Sequence, residues 1–528
     1  MKKSRIAFSL PLKGLLLLIA LSVFYGYWQH LFSDILPIHE CRKSDSLTQA
    51  IQYFKGASFF EPQTNWISEK GNRNAAAEFP LIYFILGQIW KLTGYHLWIA
   101  KVFSIGLLWT SILSLLPLLN RMFKSENKSL VFVGVLFSFP VLYYYTDTLL
   151  PNVFSFSFLL LASAQLYRYW EQHKISSLIL FCSFLCLAAL IKITALIAVL
   201  AFFGAFTTSQ LMKGQLLQRL RTRKVQWMYG ALLLTLVASY LWYRYAINYN
   251  FEHGSTIFST TIRPFWEVSV EERWRILKLV LLEHSREIVP LVGWPIVIII
   301  YLWLLLSRKV SLFTKHLLLF STVGITAYFI LWFWVFEVHD YYFIELLFLP
   351  MILLAFYLKY NPKWSLLASF QKPVEYVLLA LIFLNTLTFT EITAGKQNVV
   401  AKNSPFISSF IKGNWSWFYS YHNENLMQLQ VQKSEIQKLI GSNDTVFCFS
   451  DPYANVHLTA LDRIGYTNYN LNRTIAFQPQ IQKLIQKGAS KLVVLKQDIE
   501  NEGIKPFLGH LCYQKKNVSI YDLKPYRN

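Results

Sequence analysis

The sequence is poor in charge, poorer still in acid, and has almost no cysteine. Only 15% of its 528 residues are Asp, Glu, Lys or Arg, against about 25% in ordinary soluble domains. That excludes a typical soluble enzyme and a charged, disordered scaffold. Twenty-nine acids face 50 Lys and Arg, for a formal net charge of +21. A nucleic-acid partner would suit that sign, but it would not require runs of ~20 apolar residues, each long enough to cross ~30 Å of hydrocarbon. No nucleic-acid contact is therefore expected. Five cysteines are too few for a disulfide framework and lack metal-ligand spacing. Cys182 and Cys186 read as small buried hydrophobes on an apolar helix. No internal repeat and no low-complexity linker is visible.

What is abundant is apolar sequence, 54% of the chain. Spans are predicted near 12–30, 97–119, 129–146, 149–168, 176–191, 193–209, 227–247, 288–306, 316–336, 341–358 and 374–393. The fold class is thus a polytopic α-helical membrane protein with about 11 transmembrane helices. The basic start, Met1 to Arg5, followed by Leu15–Tyr27 reads as a retained signal anchor. Phe79–Leu92, ~14 residues, is shorter than a span and reads as an interfacial or re-entrant helix. With that segment outside, the basic loops fall on the same side as Lys2, Lys3 and Arg5. They carry Arg121, Lys124 and Lys128; Arg168 and Lys174; Lys213 to Lys224; Arg308, Lys309 and Lys315; and Lys359, Lys363 and Lys372. The positive-inside rule then puts the N-terminus in the cytoplasm and loop 31–96, loop 248–287 and the tail outside.

The tail changes character. Met427–Ile440 and Gln478–Lys487 have helical spacing, while Thr445–Ser450 and Lys491–Lys496 read as strands, which together suggest a small outer α/β domain. Domains are drawn at 1–393 for the membrane part, including loop 31–96, and 394–528 for the tail. Cys448 and Cys512 both fall in the tail and are compatible either with a disulfide or with two free thiols.

Ionisable groups at the ends of apolar spans are costly and point to function. On this topology Asp147, Asn152, Lys192, His339 and Asp340 all lie at outer span ends. Loop 31–96 adds Asp34, His39, Glu40, Arg42, Lys43, Asp45 and Glu78 on the same side. Carboxylates with Lys, Arg and His on one membrane face suit an anionic headgroup and a base. Lys192 could equally snorkel from a helix end. His339–Asp340 could be a metal ligand with its partner, but a lone His offers too few ligands, so no metal and no cofactor is expected. Tyr143–Tyr145 could line a lipid-tail groove.

Several segments resemble a known family. His39-Glu40-Cys41-Arg42-Lys43-Ser44-Asp45-Ser46 looks like the W-R-Q-x-D-T motif in the first outer loop of the dolichyl-phosphate-mannose–protein mannosyltransferase-like membrane glycosyltransferases, GT-C-fold enzymes related to the lipid A aminoarabinose transferase. Phe59-Phe60-Glu61-Pro62 and Glu78-Phe79-Pro80-Leu81 are similar to that family's F-x-x-P and T-E-F-P-L-Y segments. Ala189–Ala195 resembles its L-T-K-P-T-A, and His339-Asp340-Tyr341-Tyr342 its H-x-Y-Y. The segments run in the family's order over residues 1–360. The resemblance implies a glycosyltransferase of the cell inner membrane that takes a sugar from a polyprenyl-phosphate donor on the outer, periplasmic face and passes it, with inversion, to a lipid, glycan or protein hydroxyl. It implies Asp45 as the base that takes the acceptor's proton. As an exposed Asp near pKa 3.9, that group would be ionised at neutral pH without tuning.

By the same resemblance Arg42 and Lys192 hold the donor phosphate, and Glu78, His339, Asp340, Tyr341 and Tyr342 contact substrate; Asn152 and Asp147 join them from their places at outer span ends. Cys41 and Lys43 depart from the family's Trp and Gln. Asn152 stands where the family usually has an acid, which argues against a divalent ion held by two acids. The rival readings are a lipid or glycan transporter or flippase, and a non-catalytic member of a glycan-assembly complex.

Overall fold

The structure is a computed structural model that describes residues 8–34, 38–258, 262–360, 368–393 and 406–527. Lys2, Lys3, Arg5 and Lys363, on which part of the charge argument rests, and the start of the tail at 394–405 lie outside the described residues. Its contacts divide the chain into two compact units, each described by itself. One comprises Met1–Phe32, Ala100–Leu241 and Thr261–Lys412, and the other Ser33–Ile99, Trp242–Thr260 and Gly413–Asn528. Loop 31–96, grouped from sequence with the membrane part, falls largely in the same unit as the tail.

The first unit is helical because its sequence offers almost uninterrupted apolar runs that can satisfy their backbone groups only internally. All eleven predicted stretches fall wholly or largely on helix. Among the described residues, five helices are long and apolar enough to cross a membrane: Leu97–Phe123, Ile193–Met212, Arg223–His253, Leu312–Leu331 and Asp340–Tyr360. Two bent pairs raise this to seven if each is one span: Glu126–Phe137 with Pro140–Thr146, bent by 70°, and Val270–Glu287 with Leu291–Leu306, bent by 90°.

Both bends sit at a proline, Pro140 and Pro290. There the ring removes a backbone donor and clashes with the preceding turn. Ser138, at the first bend, donates through Oγ to the Gly134 carbonyl at 2.6 Å and accepts from the Tyr25 hydroxyl at 2.7 Å. Leu196–Met212 and Leu312–Leu331 approach closely through glycine. A Cβ on Gly324 would lie 2.8 Å from Ile197 Cγ2, and one on Gly204 3.1 Å from the Phe320 ring.

The second unit is built on a five-stranded mixed sheet. Its strands are β1 (Thr445–Cys448), β2 (Gly465–Thr467), β3 (Ala489–Leu495), β4 (Leu511–Lys515) and β5 (Val518–Asp522), in the order β2-β1-β3-β5-β4. β2, β1 and β3 are parallel, and β5 is antiparallel to both β3 and β4. The period of two sends Val446, Cys448, Val493, Leu495, Val518 and Ile520 to one face and Phe447, Phe449, Leu492, Val494 and Tyr521 to the other. Both faces are buried, which is why β1 and β3 read as continuous apolar runs.

The cysteine alternatives resolve to free thiols. Cys448 is buried on β1 and Cys512 exposed on β4. Two strands separate them, roughly 14 Å at ~4.8 Å per strand, beyond the ~7 Å limit for a disulfide.

Two helices of loop 31–96 complete the second unit. Leu81–Thr93, at 13 residues, rises ~20 Å, too short for a ~30 Å hydrocarbon layer. It packs on Glu40–Phe54 through Gly87, where a Cβ would meet the Tyr53 Cβ at 2.7 Å and the Phe54 nitrogen at 2.8 Å. Tyr53, Tyr83, Leu86 and Trp90 are buried in this unit, each contributing ~1.5–3 kcal/mol. Residues 65–67 of the loop then join the sheet edge. The Gly465 amide donates to the Asn65 carbonyl at 3.0 Å and the Ile67 amide to the Gly465 carbonyl at 2.8 Å.

Candidate functional site

The helix Glu40–Phe54 begins at His39, whose φ of 52° is left-handed, and carries Glu40 in its first turn, where an acid meets the positive end of the helix dipole. Helical spacing puts Arg42, Asp45 and Ser46 on one side, at i, i+3 and i+4. Arg42 Nη2 donates to both carboxylate oxygens of Glu78, at 2.6 and 2.7 Å. The Tyr83 hydroxyl donates to the same carboxylate and lies 3.2 Å from Ser46 Oγ. The Phe258 ring sits 5.8 Å from the guanidinium carbon. Two predicted residues, Arg42 and Glu78, thus meet in a nearly buried ion pair, with side chains 16% and 10% exposed.

Removing one member of such a pair leaves an uncompensated charge. Glu78→Gln is expected to cost ~3 kcal/mol, the lower end of the usual range because both groups keep some water. A lowered thermal midpoint of the purified protein checks this. An unchanged midpoint would show that the guanidinium does not depend on Glu78.

Asp45 differs from its sequence expectation. It keeps some solvent contact, yet protein surrounds most of it. Desolvation pushes its carboxyl from the ordinary 3.8 up to about 6, opposed by the Arg42 charge and a hydrogen bond from Asn455 and reinforced by the Glu78 charge. The carboxyl is therefore not the untuned group the sequence suggested. Asn455 donates to Asp45 Oδ1 at 2.8 Å.

Nearby, buried Asp451 accepts from the Tyr453 and His457 amides at 3.0 and 2.7 Å. Burial, which outweighs those two bonds, pushes its carboxyl up to about 8, and burial drives His457 down to about 3. Glu40 is tied to the ring of His422. Cys41, where the family motif has Trp, is held as a neutral thiol: burial raises it to about 12.

Within the first unit, other predicted residues come together. Asn152 donates to Glu345 Oε1 at 2.7 Å and to the Tyr341 carbonyl at 3.3 Å. The Lys192 ammonium lies 4.4 Å from the centre of the Tyr342 ring and near enough to Glu345 for their charges to interact. Asp340 accepts from the Tyr145 hydroxyl. His339 packs against Tyr341 and Tyr342, with centroids 5.3 and 6.0 Å apart. Asp147, buried at the end of Pro140–Thr146, interacts with Tyr27.

Sequence reasoning missed Glu345, the acid that accompanies Asn152, and the buried pair His284–Glu287, whose Nδ1 and Oε1 are 2.9 Å apart. An acid inside an apolar stretch was the available signal for Glu345. Asn455 had no signal.

Among the described residues, no three or more His, Cys, Asp or Glu side chains gather as metal ligands would. Asn152 stands beside one carboxylate, that of Glu345.

No protein-family model matches the sequence, and no curated protein matches it. Solved structures do match. The crystal structure of ArnT from Cupriavidus metallidurans in the apo state aligns with a TM-score of 0.59 at 11% identity, covering 96% of this chain and 97% of that one. The structure of the same protein bound to undecaprenyl phosphate aligns with a TM-score of 0.56 at 11% identity and the same coverage. At that identity the likeness is one of fold over nearly the whole length, and the chain has the GT-C fold of ArnT.

Proposed function

We propose that the protein is an integral-membrane glycosyltransferase that moves a sugar from a polyprenyl-phosphate donor to an acceptor hydroxyl on the outer face of the membrane. Eleven crossings put its N-terminus in the cytoplasm and the unit bearing Asp45 outside. The observation that carries this reading is Asp45. On a fold shared with a protein solved with undecaprenyl phosphate, it stands one helical turn from Arg42 with a proton affinity near 6, suited to a base working near neutral pH.

Asp45 takes the proton of the acceptor hydroxyl, whose oxygen forms a bond to the anomeric carbon from the face opposite the phosphate. The bond from that carbon to the phosphate oxygen breaks, and its electron pair leaves on the phosphate. A single displacement inverts the anomeric centre. Arg42 and Lys192 supply the positive charge that the departing phosphate requires, so the step needs no resident metal ion. Glu345 with Asn152, and Tyr341 with Tyr342, offer acceptors, donors and rings for sugar hydroxyls and faces.

A transporter has one feature in its favour, the two proline-broken helices, which transporters also use. It lacks the internal repeat that usually accompanies them. Mass spectrometry of envelope lipids and glycans tests the enzyme reading. Cells without the protein are expected to lose one sugar residue from a surface glycan or glycolipid while the lipid-linked precursor accumulates. An unchanged glycan set would reject the enzyme reading.

A further inference from the structure

Among the side chains by which the tail reaches the helix Glu40–Phe54, the buried Asn455 is the one that touches Asp45. Asn455 is fully buried, and both ends of its amide are used. Its Oδ1 accepts from the Trp66 backbone amide at 3.1 Å, and its Nδ2 donates to Asp45 Oδ1 at 2.8 Å. A backbone N–H can only donate, so the Trp66 contact fixes which end of the amide is oxygen and turns the NH₂ group toward the carboxylate.

The Trp66 amide is itself held in place, because its neighbours Asn65 and Ile67 bond to the sheet edge at Gly465. The Asn65 side chain donates to the Leu458 carbonyl at 3.2 Å, and Lys55 pairs with Asp462 at 2.7 Å, flanking the short helix Val456–Leu461 that follows Asn455. The loop and the tail are thus registered to each other on both sides of Asn455.

We propose that Asn455 is the positioning residue for the base: the tail contributes the amide that orients the Asp45 carboxylate, so the site is incomplete without the C-terminal domain. This rests on the reading of Asp45 given above. A hydrogen bond on Oδ1 fixes the plane of the carboxylate and leaves Oδ2 to receive the acceptor's proton. It also favours the charged form that acts as base. The other titratable and charged groups around Asp45 are Cys41, Arg42 and Glu78 from the loop, and Asp451, which burial favours in its neutral form and which couples to both Asp45 and Glu40.

Two variants separate positioning from mere structure. Asn455→Ala removes both bonds. Asn455→Asp keeps the oxygen that the Trp66 amide needs but turns a second carboxylate oxygen toward Asp45. Transfer rates with a polyprenyl-phosphate sugar are measured from pH 5 to 9, alongside Asp45→Asn. Loss of a charge-assisted hydrogen bond predicts a ~10–100-fold fall in kcat for Asn455→Ala, with donor KM unchanged and the acid limb displaced to higher pH. Asn455→Asp is expected to displace the limb further. Adding Asn455→Ala to Asp45→Asn is expected to cause no further loss.

A purely structural residue gives the opposite order, with Asn455→Asp close to wild type, and that result overturns the proposal. So does an additive loss in the double variant. An inactive wild type, or an Asp45→Asn variant that keeps full rate, defeats the reading of Asp45 itself instead.

Discussion

Asp45→Asn is expected to lower sugar transfer by at least ~10²-fold while leaving donor binding and membrane insertion intact. The substitution keeps the size of the side chain and its ability to accept from Asn455, but removes the oxygen that takes a proton. Glu40→Gln, earlier on the same helix, should cost much less, because Glu40 is committed to His422. The wild-type pH profile carries the same signature. A base works in its deprotonated form, so a carboxyl raised to about 6 loses activity as pH falls through 6. An untuned Asp would hold its rate down to about pH 4. The limb should vanish in Asp45→Asn, whose residual rate no longer depends on that proton. A rate within a few fold of wild type in the variant would remove Asp45 from the chemistry, and a limb near 4 would show a base that burial does not tune.

The uneven legibility of this molecule has physical causes. Long apolar runs mark the helical segments, because burial of backbone in lipid leaves few alternatives. Phe79–Leu92 was recognised as too short to span, and Leu81–Thr93 is a short helix packed on its neighbour. β1 and β3 could be read because both faces of the sheet are covered. β2 is only three residues long, and β4 is mostly exposed, so neither leaves an apolar signature. The domain boundary was drawn from composition, which sees a loop between two spans but not the pairing of residues 65–67 with Gly465.

Within the site, Arg42 and Asp45 could be found because one helical turn holds both. The environment that tunes Asp45 could not, since Asn455 lies 410 positions further along the chain. Glu345 was hidden for another reason: it sits in the apolar run Tyr341–Leu349, where hydropathy averages one acid away.

Donor choice tests the central claim most directly. A polyprenyl phosphate keeps its apolar chain in the bilayer and presents one phosphate at the surface. As the sugar leaves, negative charge collects on that phosphate, so a nearby cation stabilises the transition state more than the ground state. A nucleotide sugar carries the same hexose on a water-soluble diphosphate, without the lipid that a membrane-embedded site would bind. The measurement is transfer of labelled sugar by the purified protein in lipid nanodiscs, supplied with one donor or the other and an extract of envelope acceptors. The account predicts that label leaves the polyprenyl-phosphate sugar, with one free polyprenyl phosphate formed per sugar moved, and that the nucleotide sugar stays intact. Transfer from the nucleotide sugar alone, or movement of the lipid-linked sugar across the membrane with its phosphate bond unbroken, would contradict it.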